Sequence, residues 1–424
     1  MWNKLRQIWK AKDVRNSILY VLALLIVFRV AAHIPVPGIN TEGLAEFFQG
    51  NQVLGMLNLF SGGAMQNFSI VMLGVGPYIT ASIIFQLLVM IVPKLEAMQK
   101  EGEAGRQKIN QYTRMLTIPL AAIQGFSFIK LLSSQTGGTL LGDITGFQLL
   151  TTIIIVTAGT IFLMWLGELI TEKHIGNGVS LLIFAGIVSG LPQSLRNTII
   201  AFDNTMVLSL VIFTIIALVT IAAIVLITEG RRDIPVSYAR HVVGQRSVGG
   251  VKTSLPLRVN QAGVIPIIFA ISIILVPPML AQFFERSEVA WLANFSSWII
   301  VTFQDQLFYG IFYFIMVVLF TYFYTSVIFK PDQISENLQK QGGFIPGIRP
   351  GRHTAQYLGT VMNRIVLAGA VFLGIIAVLP LVVPMTGIQT ITLGGTSLLI
   401  TVAVVIETVR QIDAQLVMRD YEGF

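Results

Sequence analysis

The chain has 424 residues, of which 54% are hydrophobic and 12% charged, whereas soluble domains carry about 25% charged residues. That balance excludes a water-soluble globular protein, because no soluble core could bury so much apolar surface. The sequence has no cysteine, which excludes disulfides, cysteine-ligated metal sites and thiol nucleophiles, and its net charge is +7.

Ten apolar runs approach the length of about 20 residues that a membrane-spanning helix needs. In chain order they cover 18–34, 71–92, 112–132, 150–171, 178–192, 206–228, 262–281, 307–329, 364–383 and 394–411. The first run lacks a small-residue cleavage site, so we expect it to remain in the mature protein. The fifth run is short for a bilayer core, so we expect a thinner membrane or surrounding protein there.

The distribution of basic residues predicts the orientation of these spans. With a cytoplasmic N-terminus, all 28 Lys and Arg residues fall on the inner side except Arg29, Lys130, Arg196 and Arg286. Cytoplasmic loops of membrane proteins carry such an excess of positive charge. The pattern therefore predicts ten spans with both termini inside.

The segment Val53–Ile70 is apolar but too short to span, and Ser61-Gly62-Gly63 interrupts it. One interpretation is a re-entrant piece on the outer side, which requires that protein bury it or that water reach it. The other interpretation is an ordinary external loop, and composition alone does not decide between them.

Two long basic loops, Thr228–Gln261 and Lys330–Asn363, are too charged to lie in the membrane. Prolines within them, Pro235, Pro256, Pro346 and Pro350, favour shaped hairpins over disordered tails. We therefore expect folded structures that protrude into the cytoplasm.

The ten spans divide into halves of five, residues 1–195 and 196–424, with 196–205 as an external hinge. The second run reads Gly-Val-Gly-Pro-Tyr-Ile-Thr-Ala over Gly74–Ala81, and the seventh reads Gly-Val-Ile-Pro-Ile-Ile-Phe-Ala over Gly263–Ala270. An odd number of spans in each half predicts opposite orientations, as in inverted repeats, where the pathway lies between the halves.

Residues for enzyme or ion-transport chemistry are sparse. The four histidines are scattered, and no His-Glu-x-x-His, Gly-x-Ser-x-Gly or phosphate-binding loop motif occurs. Ion-coupled transporters place ionisable groups near the midplane. Glu168 and Glu407 lie near cytoplasmic ends, where snorkelling is expected, and Arg29 could pair across helices or reach the outer surface. An aliphatic pathway can gate by dewetting, which suits a substrate other than a small ion.

Several motifs, in order along the chain, resemble the SecY family of protein-conducting channel subunits. They comprise Pro35–Ile39, Phe60–Gly63, Leu73–Leu88, Ile175–Gly178 with Ile183–Ile187, Pro256–Pro266, Phe344–Gly351 and Gly395–Ile400. The resemblance implies an all-α polytopic membrane protein of two inverted five-helix halves, which form a clamshell around an hourglass pore.

The resemblance also assigns site residues. A ring of aliphatic side chains at the waist of the pore is implied at Val75, Ile79, Ile183, Ile187, Ile268 and Ile400, where Val75 is smaller than the isoleucine typical of the family. A plug is implied within 53–70, at Leu57, Asn58, Phe60, Ser61, Gly62, Gly63 and Phe68. A lateral gate for signal sequences is implied at Thr80, Ser272 and Val276.

The function that the resemblance implies is translocation of unfolded polypeptides and lateral release of membrane helices into the cytoplasmic membrane. The ring would close around the translocating polypeptide and seal the pore, without a cofactor or catalytic residue. Implied partners are SecE, SecG, the SecA ATPase, the ribosome, the translocating polypeptide with its signal sequence, and anionic lipids. SecA and the ribosome would dock at Arg240, Arg246, Arg349 and Arg352, since an arginine fork binds carboxylate or phosphate bidentately.

Two other classes of function stay open at this point. A secondary transporter for a small solute is also built on inverted repeats, but it predicts polar groups at the midplane. A membrane assembly factor without a conduit predicts no conductance, even after removal of the Val53–Ile70 segment.

Overall fold

A computed structural model describes residues 2–37, 58, 61–135, 145–200, 207–238, 240–243, 246–249, 252–274, 276–284, 289–382 and 395–422. The helices are α1 (Trp2–Lys10), α2 (Lys12–Ala31), α3 (Gly76–Ile91), α4 (Pro93–Lys100), α5 (Glu103–Gln135), α6 (Gly146–Thr171), α7 (Gly178–Ile200), α8 (Val207–Glu229), α9 (Ile265–Ile274), α10 (Val276–Phe284), α11 (Ala290–Gln304), α12 (Gln306–Ile328), α13 (Pro331–Lys340), α14 (Arg352–Val382) and α15 (Gly395–Glu422). The strands are β1 (Arg231–Tyr238), β2 (Arg240–Val243), β3 (Arg246–Gly249), β4 (Lys252–Arg258) and β5 (Gly343–Phe344).

Each of the ten predicted runs contains a helix. By length and apolarity alone, five of the described helices could cross a membrane, or six if α3 and α4, bent by 100°, form one broken span. The seventh run contains both α9 and α10, on either side of Leu275, which lies outside the described residues. Apolar side chains cover exposed faces of α2 and α8, as lipid-facing helices require.

The apolar part of the fifth span is short, as predicted, and covers Gly178–Gln193. Helix α7 does not stop at Pro192 but continues to Ile200 with that proline inside it. Membrane helices accommodate an internal proline, because neighbouring groups satisfy the backbone carbonyl that loses its partner. The predicted hinge at 196–205 therefore begins within α7, and its last five residues lie outside the described part of the chain.

Helix α11 occupies a stretch for which the sequence predicted only a connection between the seventh and eighth spans. Ten of its 15 residues are apolar, several of them aromatic, but Asn294, Ser296 and Ser297 interrupt the run. One of its faces packs against α10.

The chain forms two compact units. The first unit comprises 1–205, 272–304 and 389–424, and within it α2 contacts α6, α7 and α15 while α5 packs against α3 and α6. The second unit comprises 206–271 and 305–388, and within it α12 packs against α14. The division into halves at residue 195 remains a prediction.

The repeated sequence motif adopts the same local structure at both of its positions. Gly74 and Gly263 both have positive φ, 59° and 64°, and the following helix starts two residues later with proline at its second position. The amide of Ile79 donates to the carbonyl of Val75 at 3.0 Å, and that of Ile268 donates to the equivalent Val264 at 3.2 Å. These shared details support an internal repeat.

The two basic loops fold into one structure in the second unit. Strand β1 pairs antiparallel with β4 of the same loop and with β5 of the other loop, in the order β4-β1-β5. One core cluster combines Ile234, Val236 and Leu257 of the first loop with Ile345 and Leu358 of the second loop. The first loop contains the expected hairpin, formed by β1 and β4, whereas the second loop folds as helix α13, strand β5 and a turn. The sequence had not indicated that the two loops share a sheet.

Candidate functional site

A buried segment without helical structure lies in the first unit. Residues 61–75 form consecutive turns up to the start of α3, yet most of their side chains are buried, including the fully buried Phe68, Val71 and Met72. Phe68 and Met72 belong to a core that also contains Ala121, Ile129 and Val156 from α5 and α6. Non-helical backbone among spanning helices requires such burial, so the structure favours the re-entrant interpretation over an external loop.

Backbone hydrogen bonds join this segment to the end of α2. The amide of Val36 donates to the carbonyl of Phe68 at 2.9 Å, and that of Ile70 donates to the carbonyl of Ile34 at 3.0 Å. A single antiparallel bridge between Pro35 and Ser69 lies between these bonds. The segment is therefore held at one edge by main-chain contacts.

Asn58 organises the first turn of the segment. Its Nδ2 donates to Gln66 Oε1 at 3.2 Å, its Oδ1 accepts from the Gln66 amide at 2.9 Å, and its carbonyl accepts from Gly63 and from Ser61 Oγ. The predicted plug residues Asn58, Ser61 and Gly63 therefore form one hydrogen-bonded turn. Leu57 and Phe60, also predicted for the plug, lie outside the described residues.

Arg29 reaches this turn from α2. Its Nη1 donates to the carbonyl of Gly62 at 2.6 Å. The sequence had left open whether Arg29 pairs across helices or extends to the outer surface. In the structure its guanidinium binds the buried segment, which satisfies a carbonyl that would otherwise lack a partner in an apolar setting.

Two glycines on neighbouring helices allow this segment to approach closely. A Cβ added to Gly62 would lie 2.8 Å from the Cα of Gly186 on α7, and a Cβ added to Gly159 on α6 would overlap the carbonyl of Ile70. Gly186 falls between Ile183 and Ile187, both predicted for the pore ring. The segment thus contacts α7 at the turn that carries two predicted ring residues.

Five of the six predicted ring residues lie in the first unit, and all five are buried: Val75, Ile79, Ile183, Ile187 and Ile400. Val75 caps α3, Ile79 lies in its first turn, and α7 contacts α15, which carries Ile400. Ile268 is half-buried on α9 in the second unit. The role of these residues in lining a pore remains a prediction.

The three predicted gate residues lie on α3, α9 and α10. Thr80 is half-buried, and its hydroxyl donates to the carbonyl of Gly76 within α3. Ser272 is half-buried near the end of α9, and Val276, 37% exposed, begins α10. Helix α10 contacts α5 in addition to α11.

An ion pair that the sequence did not predict joins α5 to α6. Arg114 Nε lies 2.6 Å from Glu168 Oε1, and the glutamate side chain is 25% exposed. Glu168 therefore has a basic partner that the sequence did not indicate, and its snorkelling to the surface stays a prediction. Because 54 positions separate the partners in the chain, no local spacing rule could have identified the pair.

The predicted docking residues occupy two parts of the loop structure. Arg349 and Arg352 are exposed at the turn that leads into α14. This turn is fixed by Thr354 Oγ1, which donates to the Arg349 carbonyl at 3.0 Å, and by Ser335 Oγ, which donates to the Gly351 carbonyl at 2.6 Å. Arg240 and Arg246 lie at opposite ends of the β2–β3 ladder, in register with Gly249 and Val243.

Across the described ranges, no three His, Asp or Glu side chains come together in a group that could hold a metal ion. What the described residues do assemble is a buried, non-helical segment that is hydrogen-bonded to one membrane helix and packed on another. These features define a multi-pass helical membrane protein with an internal folded-back segment.

Comparison with known proteins extends this class to a family. The SecY family model matches residues 69–409. A protein translocase subunit SecY from Streptomyces galbus is 44% identical, with 98% of each chain covered, and one from Mycobacterium tuberculosis is 42% identical, with 97% of each covered. The chain therefore belongs to the SecY family.

Solved structures show the same fold at low sequence identity. A protein-conducting channel superposes with a TM-score of 0.63 at 19% identity, over 93% of this chain and 90% of that one. A SecY structure described for its plug domain gives 0.59 at 18% identity, over 92% and 90%. The predicted fold class, a polytopic helical protein with the architecture of protein-conducting channels, is confirmed.

Proposed function

We propose that this chain is the central subunit of a protein translocation channel that passes unfolded polypeptides across a membrane and releases membrane helices sideways into it. The observation that carries this proposal is the buried segment 61–75, tied to α2 by Arg29 and packed on α7 at Gly186. The part of this segment up to Ile70 acts as a plug that closes the pathway at rest, and Val75 at its end belongs to the ring. A similar protein is described as having a plug domain that stabilises the closed state and maintains a membrane seal.

The ring residues supply the seal around a moving chain. Val75, Ile79, Ile183, Ile187, Ile268 and Ile400 are all aliphatic, and their side chains make no directional bonds. They can therefore conform to any polypeptide while water and ions are excluded by dewetting. The matching hydrogen bonds of Ile79 and Ile268 in the repeated motif support equivalent positions for these two residues.

Release of a signal sequence or membrane helix requires an opening beside the pathway. We place this gate at Thr80, Ser272 and Val276. Thr80 follows Ile79 on α3, so a substrate leaving the ring would meet it directly.

The energy for transport comes from partners, because the sequence has no phosphate-binding loop. The SecA ATPase and the ribosome dock on the cytoplasmic loops, at Arg240, Arg246, Arg349 and Arg352, and SecE and SecG complete the channel. A related fold is described within a canine ribosome-channel complex. The chain itself has no catalytic role in this proposal.

The protein resides in the cytoplasmic membrane with both termini inside. The distribution of Lys and Arg supports this orientation, and the net charge of +7 favours anionic lipids. The loop structure built from β1, β4 and β5 then faces the cytoplasm.

Crosslinking to a stalled substrate tests the proposal. Because the chain has no cysteine, Ile79→Cys, Ile187→Cys and Ile400→Cys variants each offer one thiol for a photoactivatable probe. A secretory precursor arrested in transit should crosslink to all three positions. The control is Leu218→Cys on α8, where the side chain is 62% exposed and apolar. Equal crosslinking at the control, or none at the ring, would contradict a pore at these residues.

A further inference from the structure

Helix α11 presents an exposed aromatic ridge. Trp291, Phe295 and Trp298 recur at intervals of four and three residues, which places them along one face. Their exposed fractions are 69%, 52% and 61%, and the rings of Phe295 and Trp298 stack with centroids 6.0 Å apart. Large aromatic side chains in such a row are costly to leave in water.

The rest of α11 has one buried side and one exposed side. Ser296, on the side opposite the ridge, is 2% exposed, and α11 packs against α10. Asn294 is exposed next to the ridge, and Ser297 and Gln304 are exposed farther around the helix, so the open surface changes from aromatic to polar. Val301, 66% exposed, lies on the polar flank. The helix contains no charged residue.

Chain connectivity fixes the depth of this helix in the membrane. Only Asp305 separates α11 from the spanning helix α12, and its carboxylate accepts from the Leu307 amide at 3.0 Å as the cap of that span. A one-residue link reaches only about 7 Å between the flanking Cα atoms. The C-terminal end of α11 therefore lies at the level where α12 enters the bilayer.

Most tryptophans of this chain lie in helices that directly precede a membrane-spanning helix. Four of the five tryptophans form two pairs seven residues apart: Trp2 and Trp9 in α1, and Trp291 and Trp298 in α11. Both helices directly precede a spanning helix. Tryptophan is enriched at membrane–water interfaces, where its apolar ring and N–H group are both accommodated. Helix α1 is basic, whereas α11 is neutral, so the binding of α11 would not depend on anionic lipid.

We propose that α11 is an interfacial helix that binds the headgroup region of the bilayer through Trp291, Phe295 and Trp298, and thereby anchors the connection between α10 and α12. The ligand is a lipid surface of any headgroup charge. By the orientation proposed above, this surface is the outer leaflet, but the depth argument holds on either side. Helix α11 would then hold α10, which carries the proposed gate residue Val276, against vertical movement.

Site-directed spin labelling of the full chain in phosphatidylcholine vesicles tests the proposal. Single cysteines are introduced on the ridge as Phe295→Cys and Trp298→Cys, and outside it as Asn294→Cys and Ser297→Cys for controls. A nitroxide in lipid collides more often with oxygen, and one in water more often with a water-soluble nickel complex. Ridge labels should favour oxygen and control labels nickel, with no change between low and high salt.

Two results would overturn the proposal. Nickel-favoured collisions at both ridge positions would place the ridge in water. Exclusion of both reagents from the ridge would show that protein covers it, and a dependence on the protein-to-lipid ratio would then identify a second copy of the chain. Because the readout is depth and not transport, a failure of the translocation proposal leaves this test intact.

Discussion

Gly62 lies where the plug segment meets two helices. Its φ is +69°, its carbonyl accepts from Arg29, and its Cα faces Gly186. Any side chain at this position would push the backbone of Gly186 away, because an added Cβ would lie 2.8 Å from the Gly186 Cα. The small residue is therefore required both for backbone conformation and for contact with α7.

The Gly62→Ala substitution should loosen the plug and raise the resting ion leak. An L-residue in this backbone region costs roughly 1–2 kcal/mol, and the overlap with Gly186 adds to that cost. The matched control is Gly63→Ala, since Gly63 has a similar φ of +81° but nothing within 4 Å of an added Cβ. Ion flux from proteoliposomes measures both variants. An equal leak from the two would show that contact with Gly186 does not hold the plug.

Arg349 is exposed on a turn whose shape does not depend on its side chain. The turn is held by the hydroxyl of Thr354, which donates to the main-chain carbonyl of Arg349. Gly347 and Gly351 adopt the positive φ angles that the turn needs, +83° and +90°. Reversal of the charge should therefore change docking without unfolding the loop.

The Arg349→Glu variant should lower SecA-driven translocation by roughly tenfold or more, since a hydrogen bond to a charged group contributes about 1.5–3 kcal/mol. Arg349→Lys should recover part of the rate, because lysine keeps the charge but lacks the bidentate fork. Lys340→Glu, an exposed change in the same structure, serves as the control. ATP-dependent transport into vesicles provides the measurement. A normal rate for Arg349→Glu would remove this residue from the docking surface.

At the scale of elements, the two basic loops depend on one core. Leu257 of β4 is 1% exposed and packs in a cluster with Ile345 and Leu358 from the second loop. Loss of one side chain in this cluster should weaken both loops together, although nearly 90 residues of chain separate them.

Leu257→Ala should destabilise the loop structure by about 2–5 kcal/mol, the usual cost of truncating a buried leucine. Limited trypsin digestion should then cut after Arg258 and Arg352 at increased rates. Ser254→Ala, at an exposed position of the same strand, is the control. Cleavage confined to the first loop would contradict a shared core.

The spanning helices were predictable because long apolar runs have few alternatives in a membrane. The continuation of α7 past Pro192 and the existence of helix α11 could not be predicted from the sequence in the same way. A proline that ends most soluble helices is accommodated within α7, and the five polar residues of α11 conceal a helix whose exposed apolar side is aromatic. The signal that could have located α11 is the spacing of Trp291 and Trp298, which match the tryptophan pair of α1.

The long-range contacts of the site lay beyond local pattern analysis. The two-residue strand β5 has no periodicity, and its pairing with β1 is fixed by a core that forms only in the folded chain. Likewise, Arg29 and Gly62 are 33 residues apart, and a lone arginine in an apolar run does not indicate its acceptor. Family motifs located the plug region, whereas the contacts that hold it required the structure.

At the scale of the whole molecule, the central claim is a pathway closed by a plug. The first unit contains the proposed plug, its Arg29 tether and five of the six predicted ring residues, and the second contains Ile268 and the basic loop structure. A transporter for small solutes would instead need polar groups at the midplane. The SecY family membership of the chain disfavours that class.

Conductance in planar bilayers tests the central claim most directly. The intact chain and a variant lacking residues 57–67 are reconstituted, with insertion of both verified by protease protection of the cytoplasmic loops. The intact protein should be silent and the deletion should conduct, because removal of the plug leaves only the aliphatic ring. Silence from both correctly inserted proteins would contradict a plugged pore, as would equal conductance from both.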